Sequence, residues 1–309
     1  MHVSKIDLTL QYNLVGVAHF CLNIEAAHTP MQRIVSEALT VSPQITLHQY
    51  CDANNGNHFI RFDAPAGPLQ VRYQATVELQ PQQAVQDLQD LQESPVSEVP
   101  DNVLRYMMPS RYCESDVMSR SAQQMFGRLA PGYQRVKAVT QWVQDNIMYL
   151  PGSTISTTTA QEVFVLRAGV CRDFAHLGIT MCRALNIPAR LVVGYVYFNE
   201  PPQDFHAIFE AWLGGRWVLF DPSGMAPVDR VVRIGTGRDA KDVAFATIFG
   251  PAMMTSKEVT VYESDAPGGL QIQAGEPVPV AQSAPMPVML PASTPATQPL
   301  NEPVTVATA

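Results

Sequence analysis

Residues 167–190, RAGVCRDFAHLGITMCRALNIPAR, decide how the chain is read. Phe174, Leu177, Met181 and Leu185 recur at intervals of three and four, the spacing of one buried helix face, and Pro188 ends the pattern. The spacing predicts a helix from Cys171 to about Asn186, entered through the irregular run Arg167-Ala168-Gly169-Val170. Cys171 therefore stands at the helix start. A thiol there meets backbone amides with no intrahelical partner and the positive end of the helix dipole, and both favour thiolate over thiol. The same amides can hold an oxyanion. The competing expectation for a lone cysteine is burial in a core, and Cys182, deep in the same helix, is assigned there.

A nucleophile needs a base, and residues 204–224, DFHAIFEAWLGGRWVLFDPSG, supply one. Gly214-Gly215 suits a two-residue hairpin turn, which sets Leu213 opposite Arg216 and Asp221 opposite Ile208. Ile208 shares a face with His206, so Asp221 becomes a diagonal neighbour of His206, about 7–8 Å away between backbones. A short carboxylate bridges that gap. Cys171 then reads as nucleophile, His206 as base and Asp221 as the group that orients the imidazole. A one-residue slip in the turn would move Asp221 to the opposite face. Taken singly, a histidine at a strand start is more often structural, and Asp before Pro is a common turn starter. Glu210 shares the His206 face and ranks second as the orienting acid, because it lies two pleats further along.

Outward from these blocks the pattern is mixed. Before them, Pro131-Gly132 opens a segment in which Val136, Val139, Trp142, Val143 and Ile147 mark a one-sided buried helix. After the Cys171 helix come strand-like runs at 189–198 and on both sides of Gly214-Gly215. Helices followed by an antiparallel sheet define an α+β domain over residues 101–263. Residues 1–80 instead alternate polar and apolar side chains in IDLTLQYNL, HFCLNI, QITLHQYC, HFIRF and LQVRYQATVEL, with turn formers at Asn54-Asn55-Gly56-Asn57 and Pro65-Ala66-Gly67-Pro68. That is an antiparallel β-sandwich or small barrel. Residues 81–100, rich in glutamine, read as a linker with a short helix. The stretch 264–309, dense in proline and small residues, reads as a disordered tail.

Composition narrows the functional classes. The 309 residues fit two domains and a tail, and 46% hydrophobic against 16% charged residues leaves ample apolar material for a core. The 28 acidic against 20 basic residues give a net charge of −8, the wrong sign for phosphate neutralisation, so nucleic acid is not an expected partner. The sequence has no apolar run of membrane-spanning length and no signal-peptide pattern at its start, so no membrane association is expected. Five cysteines without CxxC or chelate spacing suit reduced thiols, and the expected address is the cytoplasm. No metal and no cofactor is expected: Cys, His and Asp are zinc ligand types, but no close pair sets up the usual spacing. His176 lies about 140° around the helix from Cys171, which argues for a structural role, and Arg172 and Asp173 fall in the first turn, where a capping or loop-anchoring role is expected.

The runs RAGVCRDFAHLGITMCRALNIPARLVVGY and DFHAIFEAWLGGRWVLFDPSG together resemble the core of the transglutaminase-like superfamily. Two further blocks, YMMPSRYCESD at 106–116 and VVRIGTGRDAKDVA at 231–244, resemble its bacterial branch. The resemblance implies a papain-like core behind an all-β domain, with Cys171, His206 and Asp221 as a catalytic triad. It implies attack on an amide of a protein or peptide substrate through a thioester, without a cofactor. Two departures stand out. Where relatives often read HAW, this chain reads His206-Ala207-Ile208, and the glutamine that papain places before its cysteine as an oxyanion donor has no counterpart in Val163-Phe164-Val165-Leu166. A second donor must come from elsewhere, with Tyr149 and Trp142 as candidates. No acidic loop of calcium type is present. The acyl acceptor, water or an amine, is open; hydrolysis is favoured, because nothing indicates a deep pocket for a lysine side chain. The expectation from another class is a binding or scaffold module that retains the fold, against which the joint presence of the three side chains argues.

Overall fold

The computed structural model describes residues 2–80 and 88–264. The tail expected at 264–309 lies outside these residues from 265 onward, as does the first part of the expected linker, 81–87. In chain order the elements are β1 (His2–Leu14), β2 (Ala18–Leu22), β3 (Gln32–Ser42), β4 (His48–Cys51), β5 (His58–Ala64) and β6 (Gly67–Leu79). Then follow α1 (Asp101–Leu104), α2 (Ser115–Phe126), α3 (Tyr133–Asn146), β7 (Met148–Tyr149), α4 (Ala160–Leu166), β8 (Ala168–Gly169) and α5 (Cys171–Ala184). The chain continues through β9 (Ala189–Tyr195), β10 (His206–Leu213), β11 (Arg216–Phe220), β12 (Val232–Gly237), β13 (Ala246–Phe249) and β14 (Ala252–Ser264).

The period-two alternation near the start produces two facing antiparallel sheets, ordered β14-β1-β6-β3 and β13-β2-β5-β4. Leu8, Leu10 and Tyr12 from β1 and Val71, Tyr73 and Val77 from β6 meet Phe20, Leu22, Ile60 and Phe62 from the other sheet in one buried cluster. Complete burial of each large apolar side chain contributes about 1.5–3 kcal/mol, which holds the two sheets face to face. The extent expected for the core, 101–263, needs correction, because β13 and β14 come from 246–264 and pair with β2 and β1 of the sandwich. β14 is largely exposed along its first half, Met253 and Met254 included, so buried alternation is confined to Val259 and Val261 and is too short to mark the strand in the sequence. β3 also goes unrecognised in the sequence: it is a sheet edge with most residues exposed, and an exposed edge carries no buried alternation.

The second half has the expected α+β form, with α5 against an antiparallel sheet ordered β11-β10-β9-β12. Phe174, Leu177 and Met181 of α5 join Ala207, Phe209, Ala211 and Leu213 of β10 in the core cluster. Gly178 allows the close approach, since a Cβ there would lie 2.7 Å from the Phe209 ring. The described part of the linker packs on this domain: Glu93 bridges Leu213 and accepts hydrogen bonds from the Gly132 N–H (2.8 Å) and Arg135 (3.2 Å).

Sandwich and core are joined by buried polar contacts. Tyr195 donates its hydroxyl to the Ile24 carbonyl (2.6 Å), and Asn57 exchanges two hydrogen bonds with the Thr236 backbone (both 2.9 Å). Gln32 does the same with Arg233, donating to its carbonyl (2.9 Å) and accepting from its N–H (2.8 Å). Breaking any of these would strand a buried polar group, so the halves behave as one unit.

Candidate active site

Cys171 is the first residue of α5, as its spacing predicts, and a local clasp fixes its position. Asp173 turns back so that Oδ2 accepts the Val170 N–H (2.9 Å) and the Thr154 hydroxyl (2.6 Å). Its Oδ1 accepts from Arg172 Nε (3.0 Å) and Nη2 (2.7 Å), and Arg172 also donates to the Ile155 carbonyl (3.1 Å). A carboxylate near a helix N-terminus is favoured by the dipole and satisfies an orphan donor. Gly169 makes room for it, because a Cβ there would lie 2.8 Å from the Asp173 Cβ. On the other side, β7 and β8 pair in parallel, with Met148 N–H on the Arg167 carbonyl (2.8 Å) and Leu150 N–H on the Gly169 carbonyl (2.9 Å). The two residues before Val170 are thus held by a strand while the two after Cys171 are held by a carboxylate.

The hairpin has the register expected from Gly214-Gly215. Both glycines take positive φ (57° and 76°), and the ladder runs from Leu213↔Arg216 to Phe209↔Phe220. One step beyond it, His206 Nε2 donates to Asp221 Oδ2 at 2.9 Å. Asp221 Oδ1 accepts the Ser223 N–H (2.8 Å) and hydroxyl (2.6 Å), which fixes the carboxylate plane. With Nε2 committed to Asp221, the buried Nδ1 of His206 has no hydrogen-bond partner and is the nitrogen left to exchange a proton. Cys171 is half-buried beside this ring, and its thiol points at the carbonyl of Phe205, the residue preceding His206 (3.9 Å).

The electrostatics follow from burial and pairing. Burial alone would lower the His206 pKa, but the hydrogen bond to Asp221, followed by the proximity of Cys171, outweighs it and raises the ring to about 10. Burial pushes Asp221 up, yet His206 and Ser223 hold it below the usual carboxylate range. The site therefore favours an imidazolium between the Asp221 carboxylate and the Cys171 sulfur.

Other candidates are placed elsewhere. Glu210 is buried but paired with Arg190 (2.7 Å) and with Arg233, so it is an ion-pair centre of the sheet and does not orient His206. His176 is buried, stacks on Tyr112 with 5.2 Å between centroids, and accepts the Ala240 N–H (3.1 Å); burial lowers its pKa to about 4, as a neutral structural imidazole requires. Trp142 packs with Phe126 and Phe164 under the Arg167 guanidinium. Tyr149, in contrast, stands beside Cys171. Ser223 and Thr154 escape sequence reasoning. The Asp221-Pro222-Ser223 run does carry the signal of an Asx-type turn, which would have pointed to Ser223.

Comparison with known proteins agrees with this architecture. A family model described as the transglutaminase-like superfamily matches residues 119–222, and one described as the bacterial transglutaminase N-terminal domain matches residues 3–102. The crystal structure of what is described as "a Putative Cysteine Protease" from Cytophaga hutchinsonii superposes with a TM-score of 0.82 and 39% identity, covering 86% of this chain and 92% of that one. The chain belongs to the transglutaminase-like superfamily. Among curated proteins, an uncharacterised protein of Mycobacterium leprae is 28% identical over 240 residues, spanning 71% of this chain and 83% of its own length. One from Mycobacterium tuberculosis H37Rv is 29% identical over 172 residues, spanning 49% and 55%.

Proposed function

We propose that the protein is a cysteine hydrolase that cleaves amide bonds of peptides or proteins through a thioester. The observation that carries this reading is the 2.9 Å His206–Asp221 hydrogen bond, with the free His206 nitrogen buried beside a helix-start thiol. Cys171 sulfur attacks the amide carbon, and its proton passes to His206. The carbonyl electron pair moves onto oxygen, where helix-start amides stabilise it. Collapse of the tetrahedral intermediate breaks the C–N bond, and the departing amine takes the proton from His206. Water then releases the acyl group with His206 as base, and Asp221 holds the ring throughout.

Water rather than an amine as acceptor is the reading in line with the 39% identical relative, described as "a Putative Cysteine Protease". Transfer to an amine is the alternative outcome of the test below. Five free cysteines support the cytoplasm as the site of action. The test incubates the protein with a glutamine-containing peptide and a labelled primary amine. Peptide cleavage or ammonia release without label incorporation is expected, and incorporation would move the assignment to transfer. Cys171→Ser should remove turnover by orders of magnitude while leaving the circular dichroism spectrum intact. Normal turnover in that variant would end the proposal, and no labelling of Cys171 by a thiol-directed probe would favour a binding module.

A further inference from the structure

A thioester mechanism needs a donor besides the Cys171 amide to hold the developing oxyanion, and the chain has no glutamine where papain carries one. The polar groups placed beside Cys171 include the Phe205 carbonyl, 3.9 Å from the sulfur, the His206 imidazole, the Cys171 N–H itself and Tyr149, which is paired with Gly169 two residues before the cysteine. The Phe205 carbonyl presents lone pairs and repels an oxyanion. The imidazole is committed to proton transfer. The two remaining groups are donors. Resting on the thioester reading, we propose that the Tyr149 hydroxyl is the second oxyanion donor, acting together with the backbone N–H of Cys171.

The placement of Tyr149 is specified by the fold. β7 pairs Tyr149 with Gly169, two residues before Cys171, and the Leu150 N–H to Gly169 carbonyl bond (2.9 Å) locks that register. Its ring packs against Phe174 with 5.9 Å between centroids, so the phenol is braced on the first turn of α5. The Cys171 N–H precedes the first closed turn of the helix, where Phe174 N–H reaches the Val170 carbonyl (3.1 Å), so it has no intrahelical partner, and the β7–β8 pairing brings Tyr149 to this helix start. A substrate carbonyl oxygen entering between these groups receives one O–H and one N–H. As the sulfur–carbon bond forms, the C=O electron pair moves onto that oxygen, and both donors strengthen their hold on it. When the pair returns, the C–N bond breaks and both donors are released unchanged. Burial, followed by the nearby thiol, keeps the phenol protonated far above neutral pH, as a donor must be.

The test uses the full chain carrying Tyr149→Phe, which removes a single oxygen, and two reagents that reach the same sulfur. Acylation by p-nitrophenyl acetate passes through a tetrahedral oxyanion, whereas alkylation by iodoacetamide is a displacement at saturated carbon and forms none. The expected result is a loss of about 10²–10³-fold in acylation, the cost of deleting one oxyanion donor, with alkylation within about 2-fold of wild type. Equal acylation in both proteins would overturn the assignment. A parallel fall in both rates would also overturn it, since Tyr149 would then act on the thiolate. Failure of the underlying reading has another signature: wild-type Cys171 would acylate no faster than in His206→Ala, and both conclusions would fall together.

Discussion

Replacing Asp221 with asparagine removes one charge and keeps the side-chain shape, so it isolates what the carboxylate does for His206. The imidazole pKa stands at about 10 against an ordinary 6.5, despite burial that pulls it down. At 1.36 kcal/mol per unit, that difference amounts to about 5 kcal/mol in favour of the protonated ring. The hydrogen bond to Asp221 is the largest of the contributions that raise it, with Cys171 next, so about 2–3 kcal/mol belongs to the carboxylate. A group whose pKa is raised in the folded state stabilises that state fully below its unfolded pKa, here 6.5, and loses the effect as pH climbs through about 10. The depressed carboxyl of Asp221 sets the other limit: its contribution holds above the ordinary 3.8 and fades as pH falls through the lowered value. Urea unfolding of wild type and Asp221→Asn between pH 5 and 10.5 should therefore show a gap of about 2–3 kcal/mol near pH 6 that narrows steadily above pH 8. Iodoacetamide labelling of Cys171 at pH 6 should fall about 10–100-fold in the variant, because the sulfur loses the charged imidazolium beside it. A stability gap as wide at pH 10.5 as at pH 6, with labelling unchanged, would refute a charged imidazole in the site.

Two further substitutions separate the scaffold from the chemistry. Gly169→Ala drives a methyl group to 2.8 Å from the Asp173 Cβ; it should destabilise by about 1–3 kcal/mol and slow Cys171 alkylation at least 10-fold, both read on one purified variant. Glu210→Gln leaves the guanidinium groups of Arg190 and Arg233 without their buried carboxylate; it should cost about 3–5 kcal/mol in urea unfolding. Alkylation of Cys171 in the folded Glu210→Gln protein should stay near wild type, and a selective loss there would reopen Glu210 as a partner of His206.

What was legible in the sequence follows from how local the determinants are. The α5 helix was readable because Phe174, Leu177 and Met181 repeat on one face, and its start because the pattern begins at Cys171. The His206–Asp221 contact, spanning fifteen residues, was readable because Gly214-Gly215 sets a turn whose register propagates without a bulge to Phe209↔Phe220. The sandwich was half readable: β1 and β6 bury every second side chain, while β3 and the first part of β14 lie at sheet edges and expose most of theirs. Glu210 was ambiguous for a different reason. Its face and burial are visible along the strand, but its partners Arg190 and Arg233 come from β9 and β12, and only the sheet order brings them to it.

The return of the chain from the core to the sandwich bears on the site itself. The segment that delivers His206 to β10 is irregular from 199 to 205, and a loop of that kind would not by itself hold an imidazole to within a hydrogen bond. It is tied down from outside the α+β core. Gln203 accepts the Val261 N–H through its side chain, Asp204 is paired with Lys257, and Phe205 stacks on Phe245 at 4.8 Å between centroids. Two of these anchors are on β14 and the third directly precedes β13, and both strands are held in the sandwich by pairing with β1 and β2. The carbonyl of Phe205 that faces the sulfur and the ring of His206 that follows it are thus positioned by residues forty to fifty-eight places later in the chain. The sandwich is a structural part of the candidate site, and the geometry around His206 and the closure of the two sheets are one folding problem.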